Sequence, residues 1–350
     1  MARSRAPRRF CTAAAVLAVA GLSLAACSKA IDPVGEVSGS PTSASPSASS
    51  SGSTANATRP LAPLTGLSTA SKADADKPAV ALALAGPDPS GLASADLVFQ
   101  DISSPVRYIA VFQSKQATAG PVTGTQPTDK TALSVLHPLL GYDGAAAPYF
   151  ITGLDKSKYV KDAGYTDHPS LYTQGTQGLT VSTQAIMSAV TGETAPPPLF
   201  RYRGVSSGAH TLATTGVSRP TSARVTIPGY GTEDWTFSQR HNAWELTSGG
   251  PPVRVANVVV QTVPYKSVGV NAHLGLTAQV AQLMGGGHVE VLSGSAAGGS
   301  GGTAASGTWS KPHLNEVTNY FDSSGSPMAF QPGVTWVILA PPGTQVSTSG

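Results

Sequence analysis

The segment VRYIAVFQ, residues 106–113, is rich in branched and aromatic side chains and predicts a β-strand. Two more strands are predicted before it. One is AVALALA, residues 79–85, which ends at the turn signal Gly86-Pro87, and the other is LVFQD, residues 97–101. These three strands form the core of a predicted first domain.

Two helices are predicted after these strands. Residues 128–140 place apolar side chains at helical spacing, with Thr128 as the N-cap and Pro138 as the residue that ends or kinks the helix. Residues 182–190 repeat the pattern, with Ser182 as N-cap and Gly192 as terminator. Together with the strands they predict an N-terminal α/β domain over residues 61–198, which ends at the proline-rich segment TAPPP, residues 194–198.

The second half is predicted to be a smaller β-rich domain over residues 199–342, followed by a tail at 343–350, so the fold class expected is α+β. The predicted strands are residues 223–227, 235–237, 243–246, 253–263, 287–292, 307–311 and 335–340. Periodicity alone leaves residues 276–284 open between helix and strand. Residues 294–306 are nearly all Gly, Ser, Ala and Thr, which predicts a flexible hairpin tip.

The N-terminus has the three parts of an export signal. Four arginines precede an apolar run too short to span a membrane, and the run ends in Leu24-Ala25-Ala26-Cys27. A cysteine after Leu-Ala-Ala matches the bacterial lipobox. The sequence therefore predicts a signal peptide at residues 1–26, lipidation of the Cys27 thiol, and anchoring by acyl chains on the extracellular face of the cell membrane.

Residues 27–60 predict a disordered tether, because residues 37–58 have no charge, no aromatic and almost no bulky apolar side chain. Cleavage at Cys27 also changes the charge. The full chain has 22 Lys+Arg and 19 Asp+Glu, and removal of four arginines leaves 22 − 4 = 18 basic residues, a net charge of −1. No basic surface is left to predict nucleic-acid binding.

Cysteine usage excludes several kinds of site. Cys11 lies in the predicted signal peptide and Cys27 is predicted to carry lipid, so the mature chain has no free thiol. A cysteine nucleophile, a thiolate metal site and a disulfide framework are therefore excluded. The histidines show no metal-binding spacing, and the sequence predicts no metal and no cofactor.

A series of short motifs, in one shared order, resembles the YerB family of bacterial lipoproteins. They are PLTGL (63–67), KPAV (77–80), SGLASADLV (90–98), RYIAVF (107–112), GPV (120–122), HPSLYT (168–173), NVVVQ (257–261), GTWSK (307–311) and PGVTW (332–336). The resemblance covers about residues 61–342. It implies an N-terminal α/β region, a C-terminal β-rich domain and a strand at residues 276–284, and it assigns no activity.

This chain departs from the family pattern at charged positions. Where the family has Glu-x-x-x-Glu-Gly-Gly-x-Thr-Arg, this sequence has Gln100 first, lacks the Glu-Gly-Gly, and keeps Arg107. Where the family has Gly-Pro-Val-Arg-Ser-Ala-Arg, both arginines are lost, with Thr123 and Gln126 in their places. If those charges bind an anion or act in catalysis, that activity is weakened here.

Two segments fit the Gly-x-Ser-x-Gly pattern of serine hydrolases, at residues 204–208 and 298–302. A nucleophile elbow requires a buried strand before the serine and a helix after it. The first follows Arg201-Tyr202-Arg203 and the second lies in a Gly/Ser loop, so chance is the better explanation of both.

Asp101, Arg107, Asp167, His168 and Tyr172 form the candidate site. We expect Arg107, Asp101, His168 and Tyr172 to bind an anionic ligand, with the guanidinium holding a carboxylate or phosphate and Tyr172 donating a hydroxyl. The alternative is that Asp101 and Arg107 pair across a hairpin and that His168-Pro169 is a turn. For catalysis we favour the alternative, and no catalytic residue is assigned.

All four tryptophans, Trp235, Trp244, Trp309 and Trp336, fall in the second half. Stacking on glycan strands is one interpretation, and core packing is the one we favour. The functional hypothesis is a lipid-anchored cell-surface protein that binds an envelope component or protein partner. The alternative is an enzyme, or enzyme accessory, acting on peptidoglycan or another cell-wall polymer. The lost charged residues favour binding over catalysis.

Overall fold

The computed structural model of the chain describes residues 59–103, 105–144, 158–204, 218–271, 275–295 and 299–350. The predicted signal peptide, Cys27 and the tether up to residue 58 lie outside these residues. Across the part of the chain that is described, no helix is long and apolar enough to cross a membrane.

The described residues form a mixed sheet of ten strands. From one edge to the other its strands are β18 (Asn319–Asp322), β17 (Thr303–Lys311), β16 (Gly285–Ser293), β13 (Asn257–Thr262), β19 (Thr335–Ala340), β2 (Leu97–Asp101), β3 (Arg107–Phe112), β1 (Val80–Ala85), β5 (Leu139–Gly141) and β6 (Lys161–Asp162). The strand predicted from VRYIAVFQ is β3, which pairs antiparallel with both β1 and β2.

This sheet runs across the predicted domain boundary at residue 198. β19 pairs in parallel with β13 on one side and with β2 on the other. Its backbone hydrogen bonds therefore join strands of the predicted first domain to strands of the predicted second domain. Residues 56–350 form one compact unit.

Three smaller sheets complete the described strands. A five-stranded sheet has the order β12 (Arg254–Val255), β11 (Ala243–Ser248), β10 (Gly231–Ser238), β9 (Ser222–Ile227) and β20 (Gln345–Ser349). A three-stranded sheet has the order β4 (Thr118–Ala119), β8 (Gly178–Ser182) and β7 (Tyr172–Gly175), and a hairpin joins β14 (Tyr265–Asn271) to β15 (Leu276–Ala281).

Two of these strands bear on predictions about particular segments. β20 lies in the predicted tail, where residues 345–349 pair along their length with β9. β15 confirms that Leu276–Ala281 is a strand, as the family resemblance implies.

The helices are short, and two of their predicted boundaries are wrong. α1 (Lys72–Ala75), α2 (Pro127–Leu133) and α3 (Thr183–Ala189) are four to seven residues long. α2 begins before Thr128 and ends at Leu133, because the chain then turns at His137, with φ of 45°, and Leu139–Gly141 pairs with β1 instead. α3 begins as predicted, with the Ser182 hydroxyl accepting from the backbone N–H of Ala185.

These lengths correct the predicted fold class. Strand dominates both halves of the described chain, with two short 3₁₀ turns (Leu92–Ser94 and Pro169–Leu171) besides the three helices. The first half is therefore not an α/β domain. The described residues as a whole are mostly β-sheet.

Both faces of the ten-stranded sheet are buried. Alternate residues of β1, such as Leu82 and Ala83, belong to opposite hydrophobic clusters. The face that carries Leu82 packs against the five-stranded sheet through Trp235 and Trp244. The face that carries Ala83 packs against α2 and the aromatic side chains around Phe200. Burial on both faces explains why these strands appear in the sequence as continuous apolar runs.

The predicted flexible hairpin tip is largely packed. β17 begins at Thr303, within that segment, and Ser295 is buried with its backbone N–H donating to the Asn242 side chain. A Cβ added at Gly302 would lie 2.6 Å from a ring carbon of Trp244. Glycine is required at position 302 because any Cβ there would collide with the aromatic core. Residues 296–298 lie outside the described part.

Candidate functional site

Asp101 and Arg107 face each other across the β2–β3 hairpin, where they are cross-strand partners. Arg107 Nε lies 3.3 Å from Asp101 Oδ2, and the guanidinium also forms a two-nitrogen ion pair with Asp129 at the start of α2. All three side chains are buried, with Arg107 only 2% exposed. Pairing across the hairpin, the alternative given above, is therefore what the geometry shows.

This burial contradicts a ligand-binding role for Arg107 and Asp101. The remaining Asp101 oxygen accepts from the Tyr265 hydroxyl at 3.1 Å, so no side of the ion pair faces solvent. Burial raises the pKa of Asp101, and attraction to Arg107 only partly offsets that effect. The cluster is an internal support for α2 and β3.

Tyr172 and His168 lie in a different environment from Arg107. The buried Tyr172 hydroxyl donates to the Ala163 carbonyl at 2.6 Å and accepts from the Tyr142 N–H at 3.2 Å. His168 is half-buried and precedes the 3₁₀ turn Pro169–Leu171, while Asp167 is exposed. The His168-Pro169 turn is thus present. In the described residues, the hydrogen bonds of Tyr172 share no member with those of Arg107, so the structure does not join the two side chains in one network.

The tryptophans pack in the core, as favoured above. All four are buried, and each indole N–H donates to a protein acceptor. Trp235 donates to the Glu233 carboxyl and Trp336 to the Gln100 side chain. Trp244 donates to the Ser293 carbonyl and Trp309 to the Thr262 carbonyl. No indole face is left to stack on a glycan.

The two Gly-x-Ser-x-Gly matches do not form a nucleophile elbow where they are described. Ser300 precedes strand β17 rather than a helix. The other match lies outside the described residues beyond Gly204. The part of the chain that the structure describes contains no group of three or more His, Cys, Asp or Glu side chains that could hold a metal ion.

A different acid, Glu233, occupies a site with functional potential. It lies on β10, and its side chain points to the same face of the strand as those of Trp235 and Phe237. That face is turned towards the ten-stranded sheet, and Glu233 is 0% exposed. Gln100 Nε2 donates to Glu233 Oε1 at 2.5 Å, and Trp235 Nε1 donates to Oε2 at 3.3 Å. Gln100 Oε1 in turn accepts from Trp336 Nε1 at 2.7 Å.

The carboxyl of Glu233 has neutral hydrogen-bond donors and no cation beside it. Among the described residues, no Lys, Arg or His nitrogen lies within 4.0 Å of it. Burial raises the pKa of Glu233 to about 7, although hydrogen bonds from Gln100 and Trp235 act in the opposite direction. A titratable acid of this kind next to a cleft is a candidate for ligand binding or proton transfer.

An open cleft of about 510 Å³ lies next to Glu233. We call it the tyrosine cleft; its walls are Gly86, Pro87, Pro105, Val106, Tyr108, Tyr230, Gly249 and Gly250. Gly250 separates it from the acid, since a Cβ added there would lie 3.7 Å from Glu233 Oε1. The Tyr230 hydroxyl donates to the Gly249 carbonyl at 2.9 Å and holds this glycine segment in place.

Glu233 is absent from the sequence predictions, although a signal for it exists. In GTEDWTFS, residues 231–238, Glu233 alternates in step with Trp235 and Phe237, so an acid occupies a position that strand periodicity assigns to the core. Its partner Gln100 is one of the departures from the family pattern. Neither feature reveals that the two side chains meet, because they are 133 positions apart.

Comparisons with known proteins agree with this fold. Residues 229–337, which include Glu233, match the family described as "Protein of unknown function (DUF3048) C-terminal domain". The crystal structure of YerB protein from Bacillus subtilis is similar with a TM-score of 0.62 at 18% identity, over 83% of this chain and 100% of that chain. No curated protein sequence matches this chain. The chain therefore has a YerB-like fold, its residues 229–337 match a DUF3048 C-terminal domain, and the resemblance drawn from its motifs is confirmed.

Proposed function

We propose that this chain is a lipid-anchored protein on the outer face of the cell membrane that binds an envelope component in the tyrosine cleft. The observation that carries the binding role is the buried, uncompensated Glu233 carboxyl beside a cleft walled by Tyr108 and Tyr230. The lipobox at Cys27 supports the location.

The chemistry of the cleft favours a ligand with a protonated amine. A carboxylate without a cation attracts positive charge, and the half-buried ring of Tyr230 in the cleft wall adds a cation–π partner. The walls offer glycine backbone and proline rings but no basic side chain, so an anionic ligand has no counter-charge there. Amine-bearing cell-wall polymers are envelope components of this kind.

Binding is favoured over catalysis by the position of the acid. A general acid or base must reach the proton it transfers within hydrogen-bonding distance. Both oxygens of Glu233 are already engaged by Gln100 and Trp235, and Gly250 lies between the carboxyl and the cleft. Glu233 therefore acts on a ligand through its charge.

The binding proposal is tested by sedimentation of the full chain, in detergent micelles, with purified cell-wall sacculi. Removing the ring in Tyr230→Ala should weaken cosedimentation by about tenfold, the size of one aromatic contact. Glu233→Gln should weaken it without changing the cleft walls. Tyr165→Ala is the matched control, because the Tyr165 ring is exposed and does not line the cleft.

Equal sedimentation of wild type, Tyr230→Ala and Glu233→Gln would contradict a binding role for the cleft. The same samples, assayed for released wall fragments, test the alternative. Turnover that is abolished by Glu233→Gln would make the protein an enzyme acting on the polymer.

The location is tested by membrane fractionation. Cys27→Ser should release the protein from the membrane or leave an uncleaved precursor, because no thiol remains to accept lipid. Cys11→Ser is the matched control, since Cys11 lies within the predicted signal peptide and its loss should change nothing. Membrane retention of processed Cys27→Ser at the wild-type level would overturn the lipid anchor.

A further inference from the structure

Lys311 ends β17 and the GTWSK motif, and its side chain turns inward. Lys311 lies on the same face of β17 as the buried Trp309, and only 3% of its surface is exposed. Its ammonium nitrogen donates to the Thr131 carbonyl of α2 at 2.8 Å. Within the described ranges, that carbonyl is its one hydrogen-bond acceptor, and no carboxylate lies within 4.0 Å of it.

An ammonium buried without a counter-ion is costly, and proteins ordinarily pair such a group or place it where a ligand supplies the missing charge. Burial lowers the pKa of Lys311 to about 8, so the charged form still predominates at pH 7. A hydrogen bond to a single backbone carbonyl satisfies one of its three donors.

Lys311 also lines a small cavity. The cavity has a volume of about 30 Å³, and its apolar walls include Phe99, Phe200 and Leu339. Its polar walls are formed by Thr131, Gln261, Thr318 and Tyr320 together with Lys311. Because one water needs roughly 10–15 Å³ by this measure, the space fits about two or three non-hydrogen atoms. That is the size of a carboxylate group.

We propose that this cavity is a binding site for a small carboxylate, whose charge pairs with the Lys311 ammonium. The Gln261 amide and the Thr318 hydroxyl add donors for the carboxylate, and the Gln261 carbonyl oxygen already accepts from the Tyr320 hydroxyl at 2.9 Å. The apolar walls, which include Phe99 and Leu339, favour the smallest carboxylate, formate, whose three non-hydrogen atoms match the volume.

The carboxylate site is separate from the tyrosine cleft. Phe99 and Gln100 are neighbours on β2, and successive side chains of a strand point to opposite faces. Phe99 packs with the cluster that contains Trp309, whereas Gln100 contacts Glu233 on the other face. The two sites lie on opposite faces of the ten-stranded sheet, so this inference does not rest on the proposed function.

The carboxylate site is tested with the full chain in detergent, using sodium formate as the probe against sodium chloride at equal ionic strength. Formate should raise Tm relative to chloride at up to about 50 mM, since a ligand that binds only the folded state stabilises it. Lys311→Met keeps the length of the side chain without its charge and should abolish this rise. Lys115→Met, at an exposed lysine, should retain it.

Two further results decide between a ligand site and a purely structural lysine. Without carboxylate, Lys311→Met should be at least as stable as wild type, because a costly buried charge is removed. In wild-type protein carrying ¹³C-labelled lysine, formate should shift the titration midpoint of the lysine that titrates near pH 8 to a higher pH. A Tm rise equal in wild type and Lys311→Met, or a midpoint that formate leaves unmoved, would overturn the proposal.

Discussion

Gln100 and Glu233 join the two largest sheets of the molecule through one hydrogen bond, in which the Gln100 amide donates to the Glu233 carboxyl at 2.5 Å. Gln100 lies on β2 of the ten-stranded sheet and Glu233 on β10 of the five-stranded sheet. The bond places a titratable acid inside the main sheet-to-sheet interface. The pH at which this acid ionises therefore influences the stability of the fold.

Folding stability should fall as pH rises from about 4.5 to 7. Burial raises the pKa of Glu233 from 4.5 to about 7 in the folded chain, so over this range the folded state holds a proton that the unfolded state has lost. The difference corresponds to about 3 kcal/mol of unfolding free energy. Urea titrations across this range should show that the free energy of unfolding depends less on pH in Glu233→Gln than in wild type. Glu316→Gln, at an exposed acid, serves as control and should follow wild type.

Removal of the Arg107 charge should lower the stability of the folded chain. Arg107→Met leaves Asp101 and Asp129 buried without their cation, a loss that typically costs about 3–5 kcal/mol. Arg224→Met is the control: it removes an ion pair with Asp234 on the surface and should leave Tm almost unchanged. If thermal unfolding shows equal Tm values for the two variants, Arg107 does not support the core as described.

Enlarging Gly302 should destabilise the protein. Gly302→Ala puts a methyl group 2.6 Å from the buried Trp244 ring and 3.0 Å from Phe237, and overpacking of this kind typically costs about 1–3 kcal/mol. Gly269→Ala is the matched control, because a Cβ at that position meets no other atom within 4 Å. Equal stability of the two variants in chemical denaturation would contradict this prediction. It would show that the segment before β17 is flexible and is not tightly packed against Trp244.

Shortening the tether should leave the folded unit unaffected. Deletion of about half of residues 37–58 removes no apolar side chain that a core needs, so Tm should not change. Deletion of residues 345–349 gives the contrast, because β20 loses its pairing with β9 and Tm should drop. A fall in Tm on tether deletion, measured by scanning calorimetry, would mean that the tether packs.

Strand periodicity predicted much of this fold, and its errors have physical causes. β2 and β19 were predicted at their observed boundaries because buried apolar runs are a local signal. Leu139 and Leu140 were assigned to a helix because their spacing also suits one, and only pairing with β1 decides for a strand. The two-domain division failed to anticipate β19, whose neighbours on either side come from distant parts of the chain.

The predicted site depended on residue type, which carries less information than position. Arg107 and Asp101 suggested anion binding, but the guanidinium is buried and already paired with two acids, Asp101 and Asp129. Glu233 and Lys311 were overlooked as sites because each is an ordinary residue within a strand. Their importance comes from the loss of water around them, which the tertiary structure decides.

The central position of β19 has a consequence for the order in which the chain can fold. Residues 335–340 come after nearly all of the other strands, yet β2 and β13 both pair with them. Until this segment emerges during synthesis, each half of the sheet exposes an apolar strand with unpaired backbone groups, the kind of edge that promotes aggregation. The ten-stranded sheet can therefore be completed only after nearly all of the chain has been synthesised.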